Sequence, residues 1–162
     1  MSNLCIIPAR GGSKRIPRKN IKLFLGKPII VYSIEAAMDS KLFDEVMVST
    51  DDPEIAEIAT KFGATVPFFR TEKTSNDFAT TFDVIEEVLS EYKKIDKIYD
   101  IACCLYACAP FVTSNELTES LQMLEKNNYD SVFPVMPFGF PIQRSLKSVS
   151  YTHLTLPTIC SV

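Results

Sequence analysis

Short apolar runs alternate with amphipathic stretches along most of this chain, and that alternation narrows the fold more than any other feature. Leu4–Ile7, Glu45–Thr50, Thr65–Phe69, Asp100–Tyr106 and Ser131–Val135 read as strands. Between them the spacing predicts helices. One runs over Ile29–Asp39 with Pro28 at its first position. A second is capped by Asp52, opened by Pro53 and closed by Gly63. A third carries Phe78, Phe82, Ile85, Leu89 and Tyr92 at helical spacing, and a fourth, capped by Ser114, puts Leu117, Leu121 and Leu124 on one face. Strands separated by helices predict an α/β fold of three layers, a mostly parallel sheet with helices on both faces. Such sheets bind ligands beyond the carboxyl ends of their strands. The loop at 8–20, the pair Asp51-Asp52 and the segment 106–111 fall at such ends.

The loop after the first strand carries unusual charge. Arg10, Lys14, Arg15, Arg18 and Lys19 follow Leu4–Ile7 within a few residues, around Gly11 and Gly12. Glycines there allow close approach of backbone to a ligand and leave N–H groups to point at an anion. The spacing matches neither the G-x-x-x-x-G-K-[ST] phosphate loop nor the G-x-G-x-x-G dinucleotide fingerprint. A charge run on its own is usually a solvated face.

Composition removes several classes. Hydrophobic residues are 46% and charged residues 23%, which is globular rather than disordered. With 162 residues the chain can bury one core. A net charge of -3 argues against general nucleic-acid binding, so the basic loop is a local feature suited to a small anion. Arg10 interrupts the N-terminal apolar run too early for a signal peptide. The uncharged stretch Ile101–Val112 is too short to span a bilayer and contains Pro110, so no membrane partner is expected. The five cysteines show no metal spacing and predict reduced, mostly buried thiols in a cytoplasmic protein. His153 is the only histidine, so a triad or a histidine metal cluster away from it is ruled out.

The segments Ile6–Lys14 and Pro17–Ile21, then Phe24–Pro28 and Val48–Asp52, resemble the signature of the CMP-sugar synthetases, cytidylyltransferases that activate nine-carbon acidic sugars. Ser75–Thr81, Leu105–Phe111 and Phe140–Leu146 point within that family to pseudaminic acid as the sugar. The resemblance runs from about residue 3 to residue 147 and implies a Rossmann-like nucleotidyltransferase fold. It implies CTP and an acidic nine-carbon sugar as partners, with attack of the sugar's anomeric hydroxyl on the α-phosphate and release of pyrophosphate. Arg10 and Lys19 are then the catalytic cations on the triphosphate. Ala9, Gly11, Gly12, Ser13, Lys14, Asn20, Arg70, Ala79, Thr80 and Thr81 are expected at the nucleotide, and Tyr106 and Arg144 at the sugar. Thr80 and Thr81 have a plain alternative as first-turn helix polarity. Asp52 has the context of an N-cap, and neither it nor Asp51 is assigned to metal. Mg²⁺ is expected with CTP, and the family's metal ligands are expected beyond residue 162, as is the element that makes the parent a homodimer.

Residues 1–147 are thus expected to be a C-terminally truncated nucleotidyltransferase domain. Residues 148–162, from Ser148 to Val162, resemble translated adapter sequence and are expected to be a non-native tail outside the core, with no role for Tyr151 or His153. Such a fragment is expected to be poorly active. Two alternatives stay open: a non-catalytic nucleotide-binding module, and a 3-deoxy-manno-octulosonate cytidylyltransferase, whose family has Gly-Lys where this chain has Lys19-Asn20.

Overall fold

The computed structural model describes residues 1–135, 137, 139, 147–150 and 153–155. In chain order the elements are β1 (Asn3–Pro8), the short strands β2 (Leu23–Phe24) and β3 (Lys27–Pro28), α1 (Ile29–Ser40), β4 (Glu45–Ser49) and α2 (Pro53–Lys61). They continue with α3 (Glu72–Ser75), α4 (Thr81–Lys94), β5 (Ile101–Cys104), α5 (Ser114–Asn127), β6 (Lys147–Ser150) and β7 (His153–Thr155). The chain divides into two compact units, residues 1–129 and 130–162.

In the first unit β1 is the central strand. It pairs in parallel with β4 on one side, Ile6 opposite Met47, and with β5 on the other, Ile6 opposite Cys104. Leu4, Cys5, Ile6 and Ile7 are all fully buried, because both faces of the sheet are covered. Alternate residues serve opposite layers. Cys5 and Ile7 pack with Ile30 and Ile34 of α1 and Ile55 and Ala59 of α2. Leu4 and Ile6 pack with Val88 and Tyr92 of α4. The three-layer parallel architecture is as expected from the sequence.

Local chemistry sets the element ends. The Asp52 carboxylate accepts the N–H groups of Glu54 (3.0 Å) and Ile55 (3.1 Å), capping α2 ahead of Pro53, and Gly63 takes φ +93° just past its end. Thr80 caps α4 in a reciprocal box with Asp83. Below the sheet, the Glu45 carboxylate accepts from Tyr92, Tyr99 and Thr65 at 2.7 Å each and from Lys97 at 2.9 Å. Burial alone would raise this carboxyl, but those hydrogen bonds prevail and bring it down to about 2.

Several expectations are corrected. Thr65–Phe69 is not a strand. Only Thr65 bridges, taking its N–H to Val46 O (2.8 Å) and accepting from Val48 N–H (2.9 Å), and Pro67 has no N–H with which to extend a ladder. Phe78 precedes α4 and is 93% exposed, and Phe82 faces outward; the buried row is Val84, Val88 and Tyr92, the turn set by Tyr92 reaching Glu45. Pro28 ends β3 and stands at the N-cap of α1, one residue before the helical position expected for it. The cap of α5 is Thr113, which forms the box with Glu116 that Ser114 cannot. Ser131–Val135 have no regular structure, and Pro134 lacks a ladder donor.

In the second unit β6 and β7 form an antiparallel pair with Lys147 opposite Thr155 and an irregularity between Ser148 and Ser150. Within the stretch from 148 onward, in which the sequence shows no strand period, residues 148–150 and 153–155 are therefore extended. Arg144 and Tyr151 lie outside the described residues. No helix among the described residues is long and apolar enough to cross a membrane.

Candidate functional site

Beyond Pro8 the chain turns across the carboxyl ends of the sheet. The Ala9 N–H is spent on Ser49 O at 2.9 Å. The Gly11 N–H donates to Asp51 Oδ1 at 2.7 Å rather than standing open to a ligand. A Cβ at Gly11 would lie 2.5 Å from Asp52 Oδ2 and 2.9 Å from Asp52 Cβ, so glycine is required here by the approach to α2. Gly12 has nothing within 4 Å of the corresponding position. Arg18, in left-handed backbone at φ 56°, pairs with Asp52 and Glu54 and fastens the far end of the loop to the start of α2. That ion pair holds the Asp52 carboxyl below its ordinary range. Asn20 is buried, donates to Arg10 O at 2.9 Å and accepts from the Cys108 thiol at 3.3 Å. It ties the loop to the segment after β5.

These contacts frame a cavity of about 400 Å³ at the carboxyl ends of β1 and β5. The connection from β1 leads to β4 on one side, and the later path returns to β5 on the other. The cavity therefore sits where the strand order reverses, the usual ligand crevice of open α/β sheets. Arg10, Lys19 and Asn20 line it from the loop, and Arg70 from the segment following Thr65. Ala79, Thr80, Thr81 and Val84 supply the wall at the head of α4, and Tyr106 to Cys108 the wall after β5. Residues widely separated in sequence thus converge on one cavity. Ala9, Gly11, Gly12, Ser13 and Lys14 lie behind or beside this wall and do not line it.

Three cations face the cavity. Arg70 is largely buried, donates through Nε to Ser49 O (3.1 Å) and Ser49 Oγ (2.8 Å), and through Nη1 to Thr74 O (3.4 Å). Its Nη2 is buried without a partner among the described residues. Burial lowers its pKa, with Asp51 and Glu87 nearby opposing that shift. Arg10 Nη1 donates to Asn76 O at 2.7 Å, and its Nη2 pairs with Asp77 at 2.9 Å. Lys14 pairs with the same carboxylate, and these two cations hold Asp77 below the usual carboxylate range. Lys19 has no ion pair among the described residues, and its charge opposes the rise that burial imposes on Cys108.

The opposite wall is neutral and polar. Thr80 uses its hydroxyl in the α4 cap, so helix capping accounts for it, while the Thr81 hydroxyl meets the Tyr106 hydroxyl at 2.9 Å. Fully buried Ser33 holds the Tyr106 carbonyl at 2.9 Å. Sequence reasoning missed Asp77, Asn76 and Cys108. Asp77 stands in the quoted stretch Ser75–Thr81, but nothing local in it marks a partner across the cavity.

Cations on one side and hydroxyls on the other suit a polyanion joined to a polar, uncharged group. Among the described residues no three His, Cys, Asp or Glu groups converge to hold a metal ion. Asp51 accepts the Gly11 N–H and Asp52 pairs with Arg18.

The family model described as "Cytidylyltransferase" matches residues 4–153. The chain is 48% identical to a pseudaminic acid cytidylyltransferase of Campylobacter jejuni over 145 residues, covering 90% of this chain and 62% of that protein. It is 35% identical to a CMP-N,N'-diacetyllegionaminic acid synthase of Legionella pneumophila, covering 86% of this chain and 60% of that protein. Among solved structures, a CMP:2-keto-3-deoxy-manno-octonic acid synthetase complexed with CTP superposes with a TM-score of 0.66 at 28% identity, covering 79% of this chain and 49% of that chain. The chain spans about three-fifths of the length of these curated relatives.

Proposed function

Because the chain belongs to the cytidylyltransferase family, we propose that it serves CTP-dependent activation of a nonulosonic acid, with pseudaminic acid as the sugar. The observation that carries this reading is the cavity at the ends of β1 and β5, into which Arg10, Lys19 and Arg70 converge from separate parts of the chain. In the proposed reaction the anomeric hydroxyl attacks the α-phosphate of CTP and pyrophosphate leaves. Such transfer depends on positioning and on neutralising charge that is already spread over phosphate oxygens. Arg10 and Lys19 take the triphosphate. Arg70, held by Ser49 and Thr74, brings a third, partly desolvated charge whose unpaired Nη2 fits a phosphate oxygen. Thr81 and Tyr106 face the uncharged part of the ligand, and Tyr106 discriminates among sugars.

Mg²⁺ is proposed to arrive with CTP and to neutralise phosphate charge there. The described residues do not by themselves build a site for it, and no step above depends on one. The unpaired thiols Cys5, Cys103, Cys104 and Cys108 accord with a cytoplasmic setting.

Titration with CTP and with cytidine, followed by a pyrophosphate-release assay with pseudaminic and sialic acids, tests the proposal. CTP binding together with preferential turnover of pseudaminic acid supports it. CTP binding without turnover on any sugar favours a nucleotide-binding module, and a preference for sialic acid overturns the sugar assignment.

A further inference from the structure

We propose that Asp77 is a built-in competitor for the polyphosphate: its carboxylate, paired with Arg10 of the cavity wall and with Lys14 beside it, exchanges places with phosphate oxygens when the nucleotide enters. The inference rests on the reading above that Arg10 takes the triphosphate.

The geometry is that of a stand-in anion. One oxygen of Asp77 lies 2.9 Å from Arg10 Nη2 and the other pairs with Lys14. Both cations belong to the loop after β1, while Asp77 belongs to the opposite segment that leads into Ala79, Thr80 and Thr81 of the cavity wall. That segment is built to hold the carboxylate there. The Asn76 side chain accepts the N–H groups of Phe78 (2.8 Å) and Ala79 (3.0 Å) and donates to Lys73 O (2.7 Å), and Asn76 O receives Arg10 Nη1 (2.7 Å). Only the Asp77 side chain has to turn for the exchange, because the Arg10–Asn76 bond does not depend on it.

The pairs are also weak enough to be exchanged. The Asp77 side chain is 37% exposed and that of Lys14 is 81% exposed. Water screens ion pairs of that kind, and they hold little net free energy. A triphosphate brings several negative charges to the place where Asp77 offers one. A ligand without phosphates leaves the pairs untouched. Asp77 therefore lowers affinity for polyphosphates selectively and speeds their departure, since the carboxylate recloses on the cations as they are vacated.

The test is isothermal titration of the full chain, of Asp77→Asn and of Arg10→Ala, each with CTP, cytidine and inorganic pyrophosphate. Asp77→Asn is expected to bind CTP and pyrophosphate roughly threefold to tenfold more tightly, with cytidine unchanged and the gain shrinking as salt rises. Asp77→Ser serves as a second variant, and thermal denaturation shows that each is folded. Weaker or unchanged CTP binding by both folded Asp77 variants overturns the proposal and makes Asp77 a clamp for Arg10. If instead Arg10→Ala leaves CTP affinity intact, the assignment of Arg10 to phosphate fails, whatever the Asp77 variants do.

Discussion

At position 11 one missing methyl group decides whether the basic loop can lie against α2. Gly11→Ala would place a Cβ 2.9 Å from the Cβ of Asp52, which cannot swing aside as a side-chain tip can. Either the loop moves or Asp52 gives up its bonds to Arg18 and to the α2 amides. We expect a loss of about 1–3 kcal/mol in chemical denaturation, the usual cost of overpacking, together with weaker CTP binding. Unchanged stability and affinity would show that the close approach does not exist. For Arg10→Ala we expect CTP affinity to fall by about 1.5–3 kcal/mol, the range of a charged hydrogen bond, with cytidine affinity unchanged. Calorimetry showing equal small losses for both ligands would remove Arg10 from the phosphate site. Arg10 and Lys19 were legible because the strand–glycine loop context and the family resemblance agree, where a charge run alone would read as a solvated face. The glycine itself was not, since a residue that admits a ligand and one that admits a neighbouring carboxylate look alike. Asp77 escaped notice because its partner Lys14 is 63 residues away.

The elements are held by bonds that no periodicity reveals. Glu45, at the start of β4, receives four donors from Thr65, Tyr92, Lys97 and Tyr99 and so pins the strand to α4 and to the approach to β5. Its carboxyl stands at about 2 in the folded protein against 4.5 ordinarily. A depressed carboxyl stabilises the fold fully above its unfolded value, and the effect is lost as pH falls from about 4.5 towards 2. Denaturation midpoints measured across that window should fall, and Glu45→Gln should flatten the dependence; a variant as acid-sensitive as the parent chain would refute this. At the other end of α4, Thr80→Ala removes the cap and should cost about 1 kcal/mol. It should also loosen the wall formed by Thr81 and Tyr106. Thermal melts with CTP titrations would check both, and no change in either would argue against the cap. Helices α1, α2 and α5 were legible to within a residue because caps and apolar spacing agree, whereas Phe78 falls three residues before α4 and α3 was not foreseen. Thr65–Phe69 and Ser131–Val135 were misread because apolar content does not reveal whether a strand neighbour is present, and Pro67 and Pro134 each remove a donor.

At the scale of the whole molecule, a chain of net charge -3 concentrates positive charge at one end of its sheet. The central position of β1 puts that end at the reversal of strand order, so topology and electrostatics select the same place. The architecture and the end of the sheet where ligands gather could be read in advance, since alternation fixes the layers and strand ends fix where loops gather; the individual residues expected there came from the family resemblance, and of these Arg10, Lys19, Asn20, Arg70, Ala79, Thr80, Thr81 and Tyr106 line the cavity. The partnering of each cation depended on packing and could not be read in advance.

Arg70 carries a consequence for the life of the protein in a cell. Its buried Nη2 lacks a partner among the described residues, and an unsatisfied buried donor costs a fold about 1–3 kcal/mol. A bound anion that satisfies it returns that free energy, so under the proposed function nucleotide would act as a folding ligand as well as a substrate. CTP at a hundred times its dissociation constant should add about 2.7 kcal/mol and raise the melting temperature. Cytidine at the same molar concentration should do much less, and equal shifts would contradict this. Degradation draws on the unfolded fraction, so the steady-state level of the protein would follow the nucleotide supply of the cell that makes it.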